Sequence, residues 1–315
     1  MKQAEFERRQ GTQWMRCEQL LAGAPTTGEA LPALYRRVCA DLALAKQRRY
    51  SPELVARLND LASRGYFAIY GASHRHQRLW LRFFVVDFPG AVARNKYYVL
   101  LATLLFALPG LVFGFATFVN EDLVYSVFQA EEVRQFEAMY DPGNDRVGRD
   151  RDSQDDWMMF CIYVYNNIGI AFRTFASGLL FGLGSVFFLV YNGLAIGGVA
   201  GHLTRTGYGI TFYPFVAGHS ALELTAIVLS GAAGLRLGAA VLAPGSQSRL
   251  SALRRAAAEA AVVVYGAAAM LLLAAAVEAF WSSRTGLPAE LRIGVGLVLW
   301  LLVLAYLCSG RSRGA

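Results

Sequence analysis

The sequence predicts an all-α fold: a polytopic helical membrane protein with about six transmembrane helices and an N-terminal cytoplasmic helical domain. Of its 315 residues, 55% are hydrophobic and only 17% are charged, whereas a soluble domain carries about 25% charged residues. The apolar residues form stretches long enough to cross about 30 Å of hydrocarbon. The positive charge is concentrated in residues 1–96, which contain 16 Lys and Arg against 8 Asp and Glu.

Residues 1–94 are predicted to form the basic cytoplasmic domain. Apolar residues at three- and four-residue spacing predict helices at about 3–22, 30–47 and from 52 to about 70. Ser51 is the expected N-cap of the third helix, and Pro52 its first residue. Residues 78–94 combine Trp, Phe and Arg, which is typical of a segment at the membrane interface.

The basic charge of this domain follows the positive-inside rule and fits a face held near anionic membrane lipid. Basic domains also bind nucleic acids. Because the domain contains no recognisable nucleic-acid-binding motif, we do not expect nucleic acid as a partner.

Six spans are predicted, at 97–119, 157–172, 175–200, 212–242, 260–280 and 293–308. Arg94 and Lys96 precede the first span and place its start in the cytoplasm. The following loop, 120–156, contains 11 acidic residues and 4 arginines, a balance compatible with the extracytoplasmic side. Six spans put both termini in the cytoplasm. Because 157–172 is short and contains two asparagines, a re-entrant or interfacial helix is the alternative there.

Small residues recur four apart in these spans. They are Gly110 and Gly114, Gly178 and Gly182, and Gly193, Gly197 and Gly201. On a helix such residues share one smooth face that another helix can approach closely. Their predicted role is helix packing, either within the chain or in a homo-oligomer.

Polar side chains within the spans are the best functional clue, because a charge at bilayer depth costs about 2.5–3.5 kcal/mol on insertion scales. The candidate intramembrane polar cluster consists of Asn166, Asn167, Arg173, Asn192, His202, His219, Glu223 and Arg236. His219 and Glu223 lie four apart, so they share a helix face on which each can hydrogen-bond the other. Two interpretations stay open: a proton or ion relay or ligand site, and a buried network that fixes helix packing.

Other chemistries are poorly supported. His219 lacks the adjacent glutamate and second histidine of a zincin, and Ser220 is not in a GxSxG turn. The loop at 141–145 lacks the later glutamate of a calcium-binding loop, and His74 with His76 is better explained as a solvated surface pair. The four cysteines form no CxxC pair. We therefore predict no catalytic residue, metal ion or cofactor.

Several motifs resemble the stage II sporulation protein M family (the DUF95 membrane proteins). They are NNI at 166–168, YNGLAIG at 191–197, GHSALE at 218–223 and GAAGLRLG at 231–238. The basic N-terminal region, with YRR at 35–37 and LNDL at 58–61, is similar to that of longer members in non-sporulating bacteria. Ser220 departs from the family pattern, which often has glycine after the histidine, but it keeps the position small.

The resemblance implies an envelope function, and enzymatic activity is not an established trait of the family. In spore formers the family protein belongs to the engulfment machinery and works with peptidoglycan-degrading partners. In other bacteria similar genes accompany a MoxR-type AAA ATPase and proteins with von Willebrand factor A domains.

The leading hypothesis is therefore a non-enzymatic membrane scaffold. Its cytoplasmic domain would dock such an ATPase or an adaptor, and its acidic loop would face envelope partners. The alternative is a transporter or channel with a polar pathway through His219 and Glu223. An intramembrane hydrolase acting through Ser220 is a third, less supported class.

Overall fold

A computed structural model describes residues 2–22, 31–70, 79–144, 156–282 and 287–311. Within these ranges the chain is helical and contains no strand, which confirms the predicted fold class. It divides into two compact units, Met1–Phe83 and Phe84–Ala315. His74 and His76 lie outside the described ranges.

The first unit is a three-helix bundle. It consists of α1 (Gln3–Leu21), α2 (Leu31–Gln47) and α3 (Pro52–Tyr70). One apolar stripe of each helix faces the core, which includes Phe6, Trp14, Leu34, Val38, Leu58 and Leu61. The Ser51 hydroxyl caps α3 as predicted, because it accepts a hydrogen bond from the backbone N–H of Leu54 at 3.3 Å.

One carboxyl group lies within this core. The indole Nε1 of Trp14 donates a hydrogen bond to Oδ2 of Asp41 at 2.9 Å, which joins α1 to α2. Burial raises the pKa of the Asp41 carboxyl above its ordinary value of 3.8, and the Trp14 hydrogen bond opposes this with a smaller lowering. The pair satisfies a buried donor and a buried acceptor together.

The described part of the second unit contains eight α-helices. They are α4 (Phe88–Arg94), α5 (Lys96–Val119), α6 (Ala130–Tyr140), α7 (Asp156–Ala176), α8 (Leu183–Arg205), α9 (Gly209–Leu242), α10 (Arg249–Val277) and α11 (Ala289–Cys308). A π-helical turn, Phe83–Asp87, precedes α4, and another, Glu278–Ser282, extends α10. Five helices (α5, α8, α9, extended α10 and α11) are long and apolar enough to cross a membrane. Large apolar side chains on them, such as Leu111 and Leu301, are exposed as a lipid-facing surface requires.

Helices α5 and α8 pack together through glycines whose backbones are in direct contact. The α8 glycines involved are Gly193, Gly197 and Gly201. A Cβ added to Gly197 would lie 2.0 Å from the carbonyl oxygen of Gly110, and one added to Gly201 would lie 2.0 Å from that of Gly114. These glycines therefore allow the close approach of α5 and α8 within the chain. Because residue numbers rise together along the two helices, α5 and α8 run parallel.

Helix α9 runs antiparallel to α8. A Cβ added to Gly231 would meet the Leu189 side chain at 2.5 Å, whereas one added to Gly238 would meet the backbone nitrogen of Gly182 at 2.2 Å. Helix α10 is in turn antiparallel to α9, since its far end, at Trp281, packs on Gly218 near the start of α9. We call the end of the unit where α5 and α8 begin the proximal end, and the opposite end the distal end.

The parallel arrangement of α5 and α8 requires the chain between them to return from the distal to the proximal end. Helix α7 makes this return: Trp157 packs edge-on against Phe280 at the distal end, and Thr174 lies against Gly234 at the proximal end. Its 21 residues give a length of about 31 Å. This matches the hydrocarbon thickness, but α7 is less apolar than the five helices above, so its full crossing stays a prediction.

The predicted junction between the second and third spans is wrong. Helix α7 continues past Arg173 to its end at Ala176, and a 3-10 turn, Ser177–Leu179, follows. Phe181 and Gly182 then reverse the chain with positive φ angles of 56° and 83°. The span predicted at 175–200 is therefore α8, which begins at Leu183 and ends at Arg205.

Gly178 and Gly182 consequently lie in this turn and not on the face of a spanning helix. They still make close backbone contacts, because the turn passes over the proximal part of α9. A Cβ added to Gly178 would lie 2.2 Å from the carbonyl oxygen of Gly234.

The predicted acidic loop, 120–156, is partly helical. A 3-10 turn, Glu121–Ser126, precedes α6, and the side chains of Gln129 and Glu132 form a capping box at the start of α6. After α6 the backbone N–H of Gly143 donates to the Asp141 carboxylate at 2.7 Å. Asn144 donates from Nδ2 to the Ala138 carbonyl at 2.7 Å, and Asp145, the last residue of the candidate cation loop, lies outside the described residues.

Candidate functional site

His219 and Glu223 lie on one face of α9, but the predicted hydrogen bond between them is wrong. Nε2 of His219 and Oε2 of Glu223 are 3.9 Å apart, beyond hydrogen-bonding distance. The imidazole is held by α10 instead, since its Nδ1 is 3.3 Å from the hydroxyl oxygen of Ser282. His219 is only 5% exposed, and the Phe215 ring packs edge-on against it.

A second carboxylate faces this pair from the π-helical turn after α10. His219, Glu223 and Glu278 each offer one potential ligand atom, and these three atoms lie within 4.8 Å of one another. Because α9 and α10 are antiparallel, Ser282 is opposite His219 and Glu278 is opposite Glu223. Sequence reasoning missed Glu278, since no spacing rule relates it to α9. The signal that could have identified it was an acidic residue inside an apolar span.

Two side chains of α11 complete the surroundings of this site. Arg292 is 6% exposed, and its Nη1 donates to the backbone oxygen of Ser282 at 3.4 Å. Trp300 donates from Nε1 to the hydroxyl of Ser220 at 3.2 Å. The Ser220 hydroxyl itself donates to the Ala217 carbonyl at 3.4 Å, so its hydrogen bonds join α9 to α11 and do not activate a nucleophile.

His202 belongs to a different group at the distal end. Its Nε2 is 2.8 Å from Oε1 of Glu137 on α6, and His202 is almost fully buried. One turn further, Arg205 donates from Nη1 to the carbonyls of Phe118 and Val119 at the end of α5. These contacts fasten α6 and the end of α5 to α8.

Arg236 belongs to a third group at the proximal end. Its Nη1 donates to Oδ1 of Asn95 at 2.8 Å, and its Nη2 donates to the carboxylate of Glu259 on α10. Asn95 sits between α4 and α5 and also donates to the Ala91 carbonyl at 2.8 Å. The contacts of Arg236 therefore join α9 to α10 and to the junction of α4 and α5, and Glu259 pairs with its charge.

The remaining predicted polar residues make local contacts. Asn166 donates to the neighbouring Asn167 amide oxygen at 3.0 Å. Arg173 and Asn192 donate to backbone carbonyls one turn earlier in their own helices, at 3.1 and 2.7 Å. In the described part of the chain, the eight predicted residues thus fall into separate groups and do not form one cluster.

Fold and site together define the class: a polytopic α-helical membrane protein with a separate N-terminal helical unit. The family model for stage II sporulation protein M matches residues 102–283, more than half of the chain. The chain therefore belongs to the stage II sporulation protein M family, as its motifs indicated. A second model, described as a domain of unknown function (DUF8413), matches residues 4–71, which is the three-helix unit. No curated protein and no solved structure matches the chain.

Proposed function

We propose that this protein is a non-enzymatic scaffold of a cell-envelope complex in the bacterial cytoplasmic membrane. The observation that carries the proposal is the direct backbone contact between α5 and α8, where Gly197 meets Gly110. Alternating-access transporters rock one group of helices against another. Here α5 and α8 are in backbone contact, and the ion pair of Arg236 and Glu259 holds α9 to α10 at the proximal end. These contacts favour a rigid membrane unit instead.

The distribution of polar groups also favours a scaffold over a transport path. A proton or ion path needs successive polar groups within reach of one another. The Arg236 group is proximal, the His219 and His202 groups are distal, and Arg173 and Asn192 bond to their own helices. A groove of about 480 Å³ lies between α5 and α8. Apart from Thr204 and Tyr213 its lining residues are apolar, so it does not supply the successive polar groups of a proton or ion path.

Two regions of the chain offer contrasting surfaces for partners. Residues 2–22 and 31–70 of the first unit carry 11 Lys and Arg against 6 Asp and Glu, a balance that suits the cytoplasm and anionic lipid. We expect this unit to dock a MoxR-type AAA ATPase or a von Willebrand factor A domain protein. The distal region from Asn120 to Asn144 exposes acidic side chains, including Glu121, Asp122 and Glu131, and would face envelope partners.

Flux measurements in proteoliposomes test the proposal against its transporter alternative. We expect the purified protein to give no proton or cation flux above that of protein-free vesicles, and Glu223→Gln to change nothing in this assay. A saturable flux that Glu223→Gln abolishes, with insertion unaffected, would establish the transporter and refute the scaffold as a full description.

A further inference from the structure

Two carboxylates lie close together in the distal half of the helical unit. Glu223 is only 19% exposed at its side chain, and Glu278 is half-buried within the same 4.8 Å group. Each charge at membrane depth costs about 2.5–3.5 kcal/mol on insertion scales, and two like charges at this distance also repel. Arg292 supplies one positive charge nearby, since its guanidinium donates to the Ser282 carbonyl, and a proton or a cation shared by the two carboxylates would relieve their mutual repulsion further.

His219 distinguishes these two possibilities. Its Nδ1 lies at hydrogen-bonding distance from the Ser282 hydroxyl, while its Nε2 faces the carboxylates without bonding to Glu223. A metal-ligating histidine almost always donates its other ring N–H to an oxygen atom, which fixes the tautomer and orients the ligating nitrogen. Ser282 is placed for that role. A proton shared between the carboxylates would not engage Nε2.

We propose that His219, Glu223 and Glu278 bind one divalent transition-metal ion, and that Zn²⁺ matches the donors best. Zinc takes imidazole nitrogen and carboxylate oxygen at about 2.0–2.2 Å and leaves a fourth position for water. In tetrahedral geometry two such ligand atoms lie about 3.4 Å apart, so the ligand atoms, now within 4.8 Å of one another, must approach by up to about 1.4 Å, which rotation of the two glutamate side chains can provide. Calcium and magnesium fit less well because they prefer more ligands, all of them oxygen.

The backbone around Glu278 supports a built site. Glu278–Ser282 is π-helical, and π-helical turns within α-helices occur frequently at functional sites. The turn presents both Glu278 and Ser282 to α9, where Gly218 lets Trp281 approach closely. A bound ion would link α9 to α10 at the distal end, close to the region where Tyr140 of α6 packs on Phe215.

Metal analysis of the full-length protein in detergent tests the site. The protein is stripped with a chelator, equilibrated with Zn²⁺, desalted and assayed for zinc per chain; Co²⁺ replaces Zn²⁺ for visible absorption spectra. We expect one Zn²⁺ per chain and a Co²⁺ spectrum typical of nitrogen and oxygen ligands. His219→Ala and the isosteric Glu278→Gln should each lower the affinity at least tenfold, and Ser282→Ala should lower it about 10- to 100-fold.

His202→Ala is the matched control, because it removes the other buried histidine that contacts a glutamate and lies outside the proposed site. It should bind Zn²⁺ as the unmodified protein does. The proposal is overturned if the unmodified protein takes up less than half an ion per chain, which would indicate the shared proton. It is equally overturned if His219→Ala and Glu278→Gln, shown to be monodisperse by size exclusion, bind Zn²⁺ with unchanged affinity.

Discussion

Replacing Gly197 by alanine should destabilise the membrane unit strongly. The new Cβ would lie 2.0 Å from the carbonyl oxygen of Gly110, whereas ordinary contact begins at about 3.4 Å, so the backbones of α5 and α8 must separate by about 1.4 Å. No rotamer change relieves the overlap, because the atom it meets belongs to the backbone. Overpacking costs about 1–3 kcal/mol. We expect the upper end of this range, because separation also weakens the contacts at Gly193 and Gly201.

Thermal unfolding in detergent, followed by size exclusion of heated samples, measures this effect. A loss of about 3 kcal/mol corresponds to a Tm lower by about 6–12 °C on the scale of soluble domains of 150–250 residues. Gly294→Ala is the control, since a Cβ there meets nothing within 4 Å and alanine is the better helix former. Its Tm should be unchanged or slightly higher. If the Gly197→Ala protein unfolds at the same temperature as the Gly294→Ala protein, the close backbone contact between α5 and α8 is refuted.

Three further predictions concern other parts of the chain. Burial raises the pKa of Asp41, so the folded first unit holds this proton more tightly than the unfolded chain; the stabilisation from this one group is fully present below about pH 3.8 and is lost as the pH rises through the raised pKa. Urea titrations at several pH values, read by pulsed hydrogen exchange of residues 2–70, should show this loss, and Asp41→Asn should remove it. Glu137→Gln should weaken the contact with His202 and speed hydrogen exchange in Ala130–Tyr140, while α9 stays protected; equal protection of α6 in both proteins would argue against the contact. In a cysteine-free background, Asp156→Cys should react with an impermeant maleimide from outside the cell and Arg173→Cys should not; outside labelling of both positions would show that α7 does not cross.

The fold class and the helix positions follow from the sequence because they depend on local patterns. Long apolar stretches, capping residues such as Ser51 and glycines four apart each act through neighbouring residues. The junction after α7 was misplaced for the same reason. The apolar residues continue from Phe175 to Leu183 with little interruption, so hydropathy gives no sign of the reversal that the positive φ angles of Phe181 and Gly182 produce.

The arrangement of the site could be predicted only in part, because it depends on which helices are neighbours. The spacing of His219 and Glu223 correctly puts them on one face, yet their contacts with Ser282 and Glu278 come from the antiparallel packing of α10 on α9. Likewise, no local pattern could show that Arg236 pairs with Glu259 or that His202 meets Glu137. The polar residues that the sequence suggested as one intramembrane cluster therefore lie in separate groups at the two ends of the second unit.

Site-specific photo-crosslinking in native membranes tests the scaffold function most directly. A photoreactive amino acid replaces Phe67, which is 69% exposed in the first unit, and in a second protein Leu111, which is 73% exposed on α5. We expect Phe67 to yield discrete adducts with an AAA ATPase or a von Willebrand factor A domain protein, identified by mass spectrometry, and Leu111 to yield lipid adducts. Phe67 adducts with lipid alone, together with a flux catalysed by the purified protein, would contradict the scaffold function.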